Sequence, residues 1–255
     1  MSSTTRTSST TRTSSTTRTS DATRAGDTAG TAAVPPGNVL RIDGRRLLSA
    51  ETIAAVGAFC DRVEDLAGHG NATIHVSGVP EGSWARELTV PLVNKWERAL
   101  RRLERLPAAT IAIADGDCGG AALDALLTTD YRIATRSARL VVSVEDGATW
   151  PGMALYRLAR HGSSAAAIRR AVLFGTPVGA ADALALQLVD ELADDPVSAA
   201  ATAEARAGAV SGAELAIRRQ LLLDAPTTTF EEALGAHLAA CDRALRRAAV
   251  VGARS

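Results

Sequence analysis

The chain has 255 residues, and its 28 basic and 28 acidic side chains give a formal charge of zero at pH 7. This balance disfavours nucleic acid as a partner, because proteins that bind it usually carry a basic stripe. No apolar run reaches the roughly 18 residues of a membrane span, and the three cysteines form no CxxC pair. The sequence therefore predicts neither a membrane helix, a disulfide framework nor a zinc site, and it favours a reducing cytoplasm.

Residues 1–38 are predicted to be a disordered tail. Residues 2–19 are three copies of SSTTRT, a polar repeat with no apolar face to bury. The repeat also lacks the apolar residues that a signal peptide or an amphipathic transit peptide needs. About 215 residues remain after this tail, enough for one α/β domain with a sizeable core.

Strands alternate with amphipathic helices in the first half of the folded part. The predicted elements are a strand at 39–43, a helix with Ser49 as N-cap that stops at Gly68 and Gly70, a strand at 72–77, an irregular loop at 78–87 and a helix at 90–106. The arginines of the last helix are interpreted as a solvated face. Alternation of this kind predicts βαβ units and a largely parallel sheet.

The second half begins with a buried strand at 108–114, which Asp115-Gly116-Asp117 is predicted to end. The further predictions are a glycine turn at 119–120, a helix with Leu123 and Leu127 on one face, strands at 131–134 and 140–144, a turn at 145–147, helices after Pro151 and at 163–174 and 178–186, a strand at 188–190, and helices at 196–209, 212–223 and 230–249.

The glycine turn, Gly119-Gly120, is the candidate ligand-binding feature. The first N–H groups of the helix that follows have no partner inside the helix, and glycine lets a ligand approach the backbone closely. The turn is not a P-loop or a dinucleotide fingerprint, because no Gly-Lys-Ser/Thr follows and the spacing does not fit. Cys118 is expected to be a small buried filler, since no histidine lies near it in sequence to activate it.

From Pro107 onward the chain resembles the crotonase (enoyl-CoA hydratase/isomerase) superfamily. The matching motifs are Pro107, Gly116, Gly119-Gly120, Asp124, Asp130 with Arg132-Ile133-Ala134, Ala138, Pro151-Gly152, the segment from Gly175 to Ala183, and Leu188-Val189-Asp190-Glu191. The resemblance implies an α/β fold, a crotonase-like ββα superhelix at 39–195. It also implies a C-terminal helical region at 196–255 that builds a homotrimer or hexamer.

The resemblance further implies how a substrate is held. Members of the superfamily bind an acyl-CoA and stabilise the enolate of its thioester with two backbone N–H groups, fixed dipoles that act on charge formed in the transition state. One donor matches Ala121, and the other falls on Gly78 or Val79. The positions expected to line the substrate are Gly119, Gly120 and Trp150.

Hydratases of this superfamily use two glutamates, and the first position of this chain carries an aspartate, which is one methylene shorter. Asp124 stands at the first position, as a general acid–base candidate. The second position falls on Val144, and the adjacent acid is Glu145. Structural explanations stay open for both, because acids are favoured in the first turn of a helix and Glu145 lies in a predicted turn. No metal or redox cofactor is expected, since the substrate would be carried as a coenzyme A thioester and no ligand cluster is present.

Three segments resemble one crotonase subgroup, namely Lys95 to Leu100, Gly116 to Gly120 and Thr149 to Met153. That subgroup accompanies the type III polyketide synthase that makes 3,5-dihydroxyphenylacetyl-CoA, a precursor of dihydroxyphenylglycine in glycopeptide antibiotics. The resemblance implies a cytoplasmic enzyme that promotes dehydration and aromatisation beside this synthase. Two alternatives stay open: a generic enoyl-CoA hydratase or isomerase of acyl-CoA degradation, and a non-catalytic accessory that binds the thioester or the synthase.

Overall fold

The computed structural model describes residues 39–66, 70–208, 210 and 212–252. The predicted tail at 1–38 and the predicted helix stop at Gly68 lie outside the described residues. Within the described part of the chain, no helix is both long enough and apolar enough to cross a bilayer.

Strands and helices alternate through the first two thirds of the described chain. The strands are β1 (Val39–Asp43), β2 (Ala72–Gly78), β3 (Thr110–Gly119), β4 (Tyr131–Ala134), β5 (Arg139–Val141), β6 (Val144–Glu145), β7 (Ala148–Thr149), β8 (Val178–Gly179) and β9 (Glu191–Leu192). The helices are α1 (Ala50–Asp65), α2 (Trp84–Glu87), α3 (Val90–Glu104), α4 (Ala121–Leu126), α5 (Ala154–His161), α6 (Ala165–Phe174), α7 (Ala180–Ala185), α8 (Pro196–Ala207), α9 (Gly212–Asp224) and α10 (Phe230–Gly252).

A seven-stranded sheet lies at the centre of the domain. Its main order is β1-β2-β3-β4-β9, with β5 beside β3 and β8 beside β5. The pairs are parallel, except that β5 and β8 run antiparallel. The strands β6 and β7 form a separate hairpin. The mixed α/β architecture confirms the predicted fold class.

The helix α1 begins where its sequence predicts. Ser49 has extended backbone and its side chain accepts a hydrogen bond from the backbone N–H of Thr52 at 3.2 Å, which satisfies one of the free donors of the first turn. The buried face of α1 includes Phe59 and Val63, while the buried face of α3 includes Trp96 and Leu100. Together these two helices enclose the core and place Trp96 inside the domain.

The strand β3 continues past the predicted stop at Asp115, so that prediction is wrong. Its second half pairs with β5, where Arg139 donates two hydrogen bonds of 2.6 Å to the carboxylate of Asp117. The register with β2 shifts along the same stretch, and Gly78 lies opposite Cys118. As a result, β2 and β3 end side by side at the glycine turn.

Four other boundaries differ from the sequence predictions. The four-residue helix α2 lies inside the predicted irregular loop, the strand predicted at 140–144 ends at Val141, and the helix predicted at 178–186 begins at Ala180. The strand predicted at 188–190 is wrong, because the N–H groups of Leu188 and Val189 donate to the carbonyl of Ala183 at the end of α7. The backbone N–H of Asp190 donates to the carbonyl of Arg132 in β4, and the paired strand β9 begins at Glu191.

Candidate active site

The end of β2 meets the glycine turn through two glycines that have no room for a side chain. Gly78 has φ of +87°, and a Cβ there would lie 2.8 Å from Oδ1 of Asp43. Gly120 has φ of +52°, and a Cβ there would lie 2.5 Å from Cγ of Pro80. Both positions therefore need glycine. The close approach brings the loop after β2 against the residue that precedes Ala121, the first residue of α4.

Both backbone positions predicted to stabilise an enolate lie at this junction. Ala121 is the first residue of α4, so its N–H has no acceptor within the helix. Gly119, two residues before Ala121, packs against the loop after β2, because a Cβ on Gly119 would lie 3.0 Å from Cγ1 of Val79. The structure thus brings the segment that leads to Ala121 close to the Gly78–Val79 segment, and the role of these positions as donors stays a prediction.

Asp124 lies one turn along α4 and is completely buried. Its Oδ2 accepts hydrogen bonds from two indole N–H groups, that of Trp150 at 2.7 Å and that of Trp96 at 3.1 Å. Its Oδ1 has no partner among the described residues. Gly152 packs directly against the carboxyl group, because a Cβ on Gly152 would overlap its oxygens. One oxygen of this acid is fixed and the other is free.

The environment of Asp124 favours its protonated form. Burial, followed by the negative charge of Glu97, raises its pKa from 3.8 to about 6. The two indole N–H groups and the charge of Arg157 lower the pKa, but they do not outweigh burial. A carboxyl group with a pKa near 6 can both accept and donate a proton close to neutral pH, as general acid–base catalysis requires.

An ion pair between the buried Arg157 and the partly buried Glu97 lies beside this acid. Glu97 accepts from Nη2 of Arg157 at 2.9 Å through one oxygen and from the backbone N–H of Met153 at 2.8 Å through the other. Nη1 of Arg157 is buried and has no partner in the described chain. Through the bond between Glu97 and the N–H of Met153, the pair connects α3 to the start of α5. Because Met153 follows Gly152 in the chain, this bond also restrains Gly152.

The comparisons with known proteins agree with this geometry. No family model matches the chain. A protein of Amycolatopsis orientalis named enoyl-CoA-hydratase is 55% identical over 211 residues, which cover 83% of this chain and 97% of the relative. The chain belongs to the crotonase, or enoyl-CoA hydratase, superfamily.

Solved crotonase structures share the fold at much lower identity. An enoyl-CoA hydratase/isomerase family protein from Silicibacter pomeroyi superposes with a TM-score of 0.69 at 20% identity, covering 82% of this chain and 96% of that one. An enoyl-CoA hydratase from Polaromonas gives 0.68 at 20% identity, covering 83% and 90%. These likenesses support the crotonase fold of the present chain.

The second acid considered for this crotonase, Glu145, has a different environment. It lies in β6, and its Oε2 accepts a hydrogen bond of 3.1 Å from the backbone N–H of Ala85 in the first turn of α2. The tip of the hairpin is a turn, as predicted, with Asp146 at φ of 50° and Gly147 at 78°. Glu145 is therefore tied to α2, while Asp124 is held by two indoles.

Three residues of the site were not predicted for a role in it. Trp96 had no predicted role in the site, yet its N–H donates to the carboxyl group of Asp124. No role was predicted for Glu97 or Arg157 either, although they form an ion pair with each other. A signal for Trp96 did exist, because a buried tryptophan usually needs an acceptor for its N–H. Cys118 is buried with its pKa raised to about 12 by burial, so it stays a thiol, in agreement with the filler interpretation.

Proposed function

We propose that this crotonase is a dehydratase of acyl-CoA thioesters in which Asp124 is the general acid–base. The observation that supports the proposal most strongly is the buried carboxyl group with one oxygen held by two indoles, one oxygen free and a pKa near 6. Its place one helical turn after the junction of Gly120 and Ala121 puts proton transfer close to the backbone N–H donors.

The proposed steps balance on a single carboxyl group. The carboxylate of Asp124 removes the α-proton of a β-hydroxy thioester, and the electrons move onto the thioester oxygen. The N–H of Ala121 and that of Gly78 or Val79 stabilise this enolate. When the C–O bond at the β-carbon breaks, the protonated Asp124 returns the proton to the departing hydroxide, which leaves as water. Glu145 would act as a second acid only if the hairpin of β6 and β7 moved.

The substrate must displace a side chain to reach Asp124. The acid has no exposed surface, and the indole of Trp150 covers Gly120, with Cδ2 lying 3.4 Å from the position of a Cβ there. A shift of Trp150 would open the glycine turn and the free Oδ1 together. Because Trp150 also donates to Oδ2, its movement would couple substrate entry to the pKa of the acid.

For the substrate, we propose a polyketide-derived thioester handled beside a type III synthase in the cytoplasm, towards 3,5-dihydroxyphenylacetyl-CoA. The segments that resemble the subgroup of that pathway supply Trp96, the glycine turn, Trp150 and Gly152, which surround Asp124. Dehydration of a cyclised β-hydroxy thioester is the step that would need this acid.

We also propose a homotrimer or hexamer. The helix α10 leaves large apolar side chains exposed, namely Phe230, Leu234, Leu238 and Leu245. Exposure of these side chains to water is unfavourable, and contact with a second copy of the chain would bury them. Light scattering would measure the assembly size directly.

Two alternatives have support of their own. The name of the Amycolatopsis orientalis relative favours hydration of a simple enoyl-CoA, for which turnover of crotonyl-CoA is the test. The complete burial of Asp124 favours a non-catalytic accessory in which this acid only ties Trp96 to Trp150.

Mass analysis of the thioesters formed from malonyl-CoA by a type III synthase of this pathway tests the proposal. The reactions contain no added protein, wild type, or Asp124→Asn, whose folding is checked by circular dichroism. The proposal predicts that wild type raises the dehydrated aromatic product and that Asp124→Asn does not. Full stimulation by folded Asp124→Asn would favour the accessory, and no stimulation by wild type would remove the pathway assignment.

A further inference from the structure

A cavity of about 580 Å³ lies between α3 and α5, next to the site of Asp124. Its lining includes Glu97, which follows Trp96 in the chain, and Met153, which follows Gly152. The cavity lies near Asp124, because two of its lining residues, Glu97 and Arg157, are close enough for their charges to act on this acid. We call it the arginine-lined cavity.

The charges of this cavity favour an anion. Its lining carries four arginines against two glutamates, an excess of two positive charges: Arg98, Arg101, Arg157 and Arg160 against Glu97 and Glu104. Two of the arginines pair with the two glutamates. The other two have no carboxylate partner within the described residues, since Arg160 donates to the hydroxyl of Tyr156 and to the carbonyl of Leu223.

Arg157 supplies the most specific feature of the cavity. Its side chain is 8% exposed and its Nη2 is used by Glu97, but its Nη1 is buried without a partner in the described chain. A buried guanidinium donor left without an acceptor is unfavourable, and the planar fork of arginine matches a carboxylate. A small movement of the Arg157 side chain, which lines the cavity, would expose Nη1 to an acceptor bound there and satisfy this donor. The apolar side chains of Val90, Met153 and Leu223 would meanwhile contact the methylene part of the same ligand.

We propose that the arginine-lined cavity binds the distal end of the acyl chain and that this end carries a carboxylate held by Nη1 of Arg157. The inference rests on one part of the proposed function, the dehydration of an acyl-CoA at Asp124. It is an alternative to the polyketide assignment, because the 3,5-dihydroxyphenylacetyl group carries no terminal carboxylate. It adds the substrate class: an acyl-CoA with a terminal carboxylate is preferred to an uncharged acyl-CoA of the same shape.

Calorimetric titration with two thioesters of matched shape tests this preference. Glutaryl-CoA ends in a carboxylate, and 5-methylhexanoyl-CoA carries two methyl groups in place of the two carboxylate oxygens. We expect wild type to bind glutaryl-CoA at least about tenfold more tightly, the factor that one charge-assisted hydrogen bond commonly supplies. Arg157→Met should abolish the preference, while Arg169→Met, an exposed arginine of α6 outside the cavity, should retain it.

The outcomes separate the two proposals. Equal binding of both thioesters by wild type would overturn the present inference and leave the proposed function standing, because acyl-CoA binding itself would be observed. Binding of neither thioester would overturn both. Since Arg157→Met leaves Glu97 buried without its partner, the double variant Glu97→Gln/Arg157→Met provides a version without the unpaired charge. A preference for glutaryl-CoA that survives in the folded double variant would also overturn the role of Arg157.

Discussion

Asp124 stands at the first catalytic position of the hydratases and Glu145 is the acid next to the second, yet their surroundings have little in common. Asp124 is fully buried, accepts two indole N–H bonds through one oxygen and has a pKa raised to about 6. Glu145 lies in a two-residue strand of a hairpin and accepts the backbone N–H of Ala85. The difference supports the proposal that Asp124 alone is the general acid–base of this crotonase.

The two environments follow from where each acid lies in the fold. Asp124 belongs to a helix whose described side chains are all buried, so its carboxyl group can meet only other buried groups. Glu145 lies where the chain leaves the central sheet to form a small hairpin, and the nearest unsatisfied donors are those of the first turn of α2. Burial raises the pKa of Asp124, whereas the carboxylate of Glu145 accepts a hydrogen bond from the first turn of α2.

The largest expected effect is that of Asp124→Asn on catalysis. Removal of a general acid–base should lower kcat/KM of the dehydration by about 10²-fold or more. Steady-state kinetics on the cyclised thioester measure the loss. The matched control is Asp182→Asn, an exposed aspartate in the first turn of α7, which should keep wild-type kinetics.

The free energy of unfolding provides the folding check for the same variant. The pKa of Asp124 is higher in the folded state, so the folded state binds the proton more tightly and wild type loses stability as the pH rises from about 4 through about 6. The loss should amount to roughly 3 kcal/mol, since each pKa unit corresponds to about 1.4 kcal/mol. Asp124→Asn should lack this component of the pH dependence in urea titrations, and retention of the full slope would assign it to other groups.

Gly152→Ala should have the next largest effect. A Cβ there would overlap the carboxyl group of Asp124, so either the acid or the chain at Pro151 must move. We expect a loss of about 1–3 kcal/mol of unfolding free energy together with a clear fall in kcat. Gly235→Ala is the control, because nothing lies within 4 Å of a Cβ at that position of α10 and alanine is the better helix former. Equal stabilities of the two variants would show that Gly152 is not confined.

Trp150→Phe should shift the pH dependence of the reaction. The substitution keeps an aromatic ring but removes the N–H that donates to Oδ2 of Asp124 at 2.7 Å, and this bond lowers the pKa of the acid. The acidic limb of the kcat/KM profile should therefore move upward by about one pH unit. Trp84→Phe loses an indole that packs on Trp150 at 5.3 Å without bonding to Asp124, so its profile should stay in place.

Glu145→Gln should have the smallest effect. A glutamine can still accept from the N–H of Ala85, so α2 keeps its contact with the hairpin. We expect a change in kcat/KM of less than about threefold, because side chains of this kind contribute little once their hydrogen bond is retained. A loss of about 10²-fold in the folded variant would instead establish a two-acid mechanism and would break the contrast between the two regions.

The sequence predicts the parts of the fold that depend on local chemistry. The N-cap of α1 and the strands β1 and β4 lie where side-chain pattern and capping residues indicate. The strand β3 was predicted too short, because Asp115-Gly116-Asp117 is typical of a turn until Arg139 pairs with Asp117 across 22 residues. Leu188 and Val189 read as a strand, although their N–H groups cap α7. In the first error the deciding partner is distant along the chain, and in the second it is a backbone carbonyl, which the side-chain pattern does not reveal.

The same limit applies to the site. The motif resemblance selected the glycine turn and Asp124 as candidates, and the structure places them at the start of the same helix. It did not reveal the link from Asp124 to Trp96, since that contact joins α3 to α4 across the core. Nor did it indicate the ion pair of Glu97 and Arg157, because charged residues on amphipathic helices usually face solvent. Tertiary packing decides which of them are buried.

Nuclear magnetic resonance of the tryptophan side chains gives the most direct test of the central claim that Asp124 is a buried acid with a pKa near 6. The chain has three tryptophans, so ¹⁵N-tryptophan labelling gives three indole N–H signals. The account predicts that two of them, those of Trp96 and Trp150, titrate together with a midpoint at about pH 6 and that Asp124→Asn abolishes the transition. A common midpoint near pH 4, the ordinary value of an aspartate, or two signals that do not respond to the pH would contradict it.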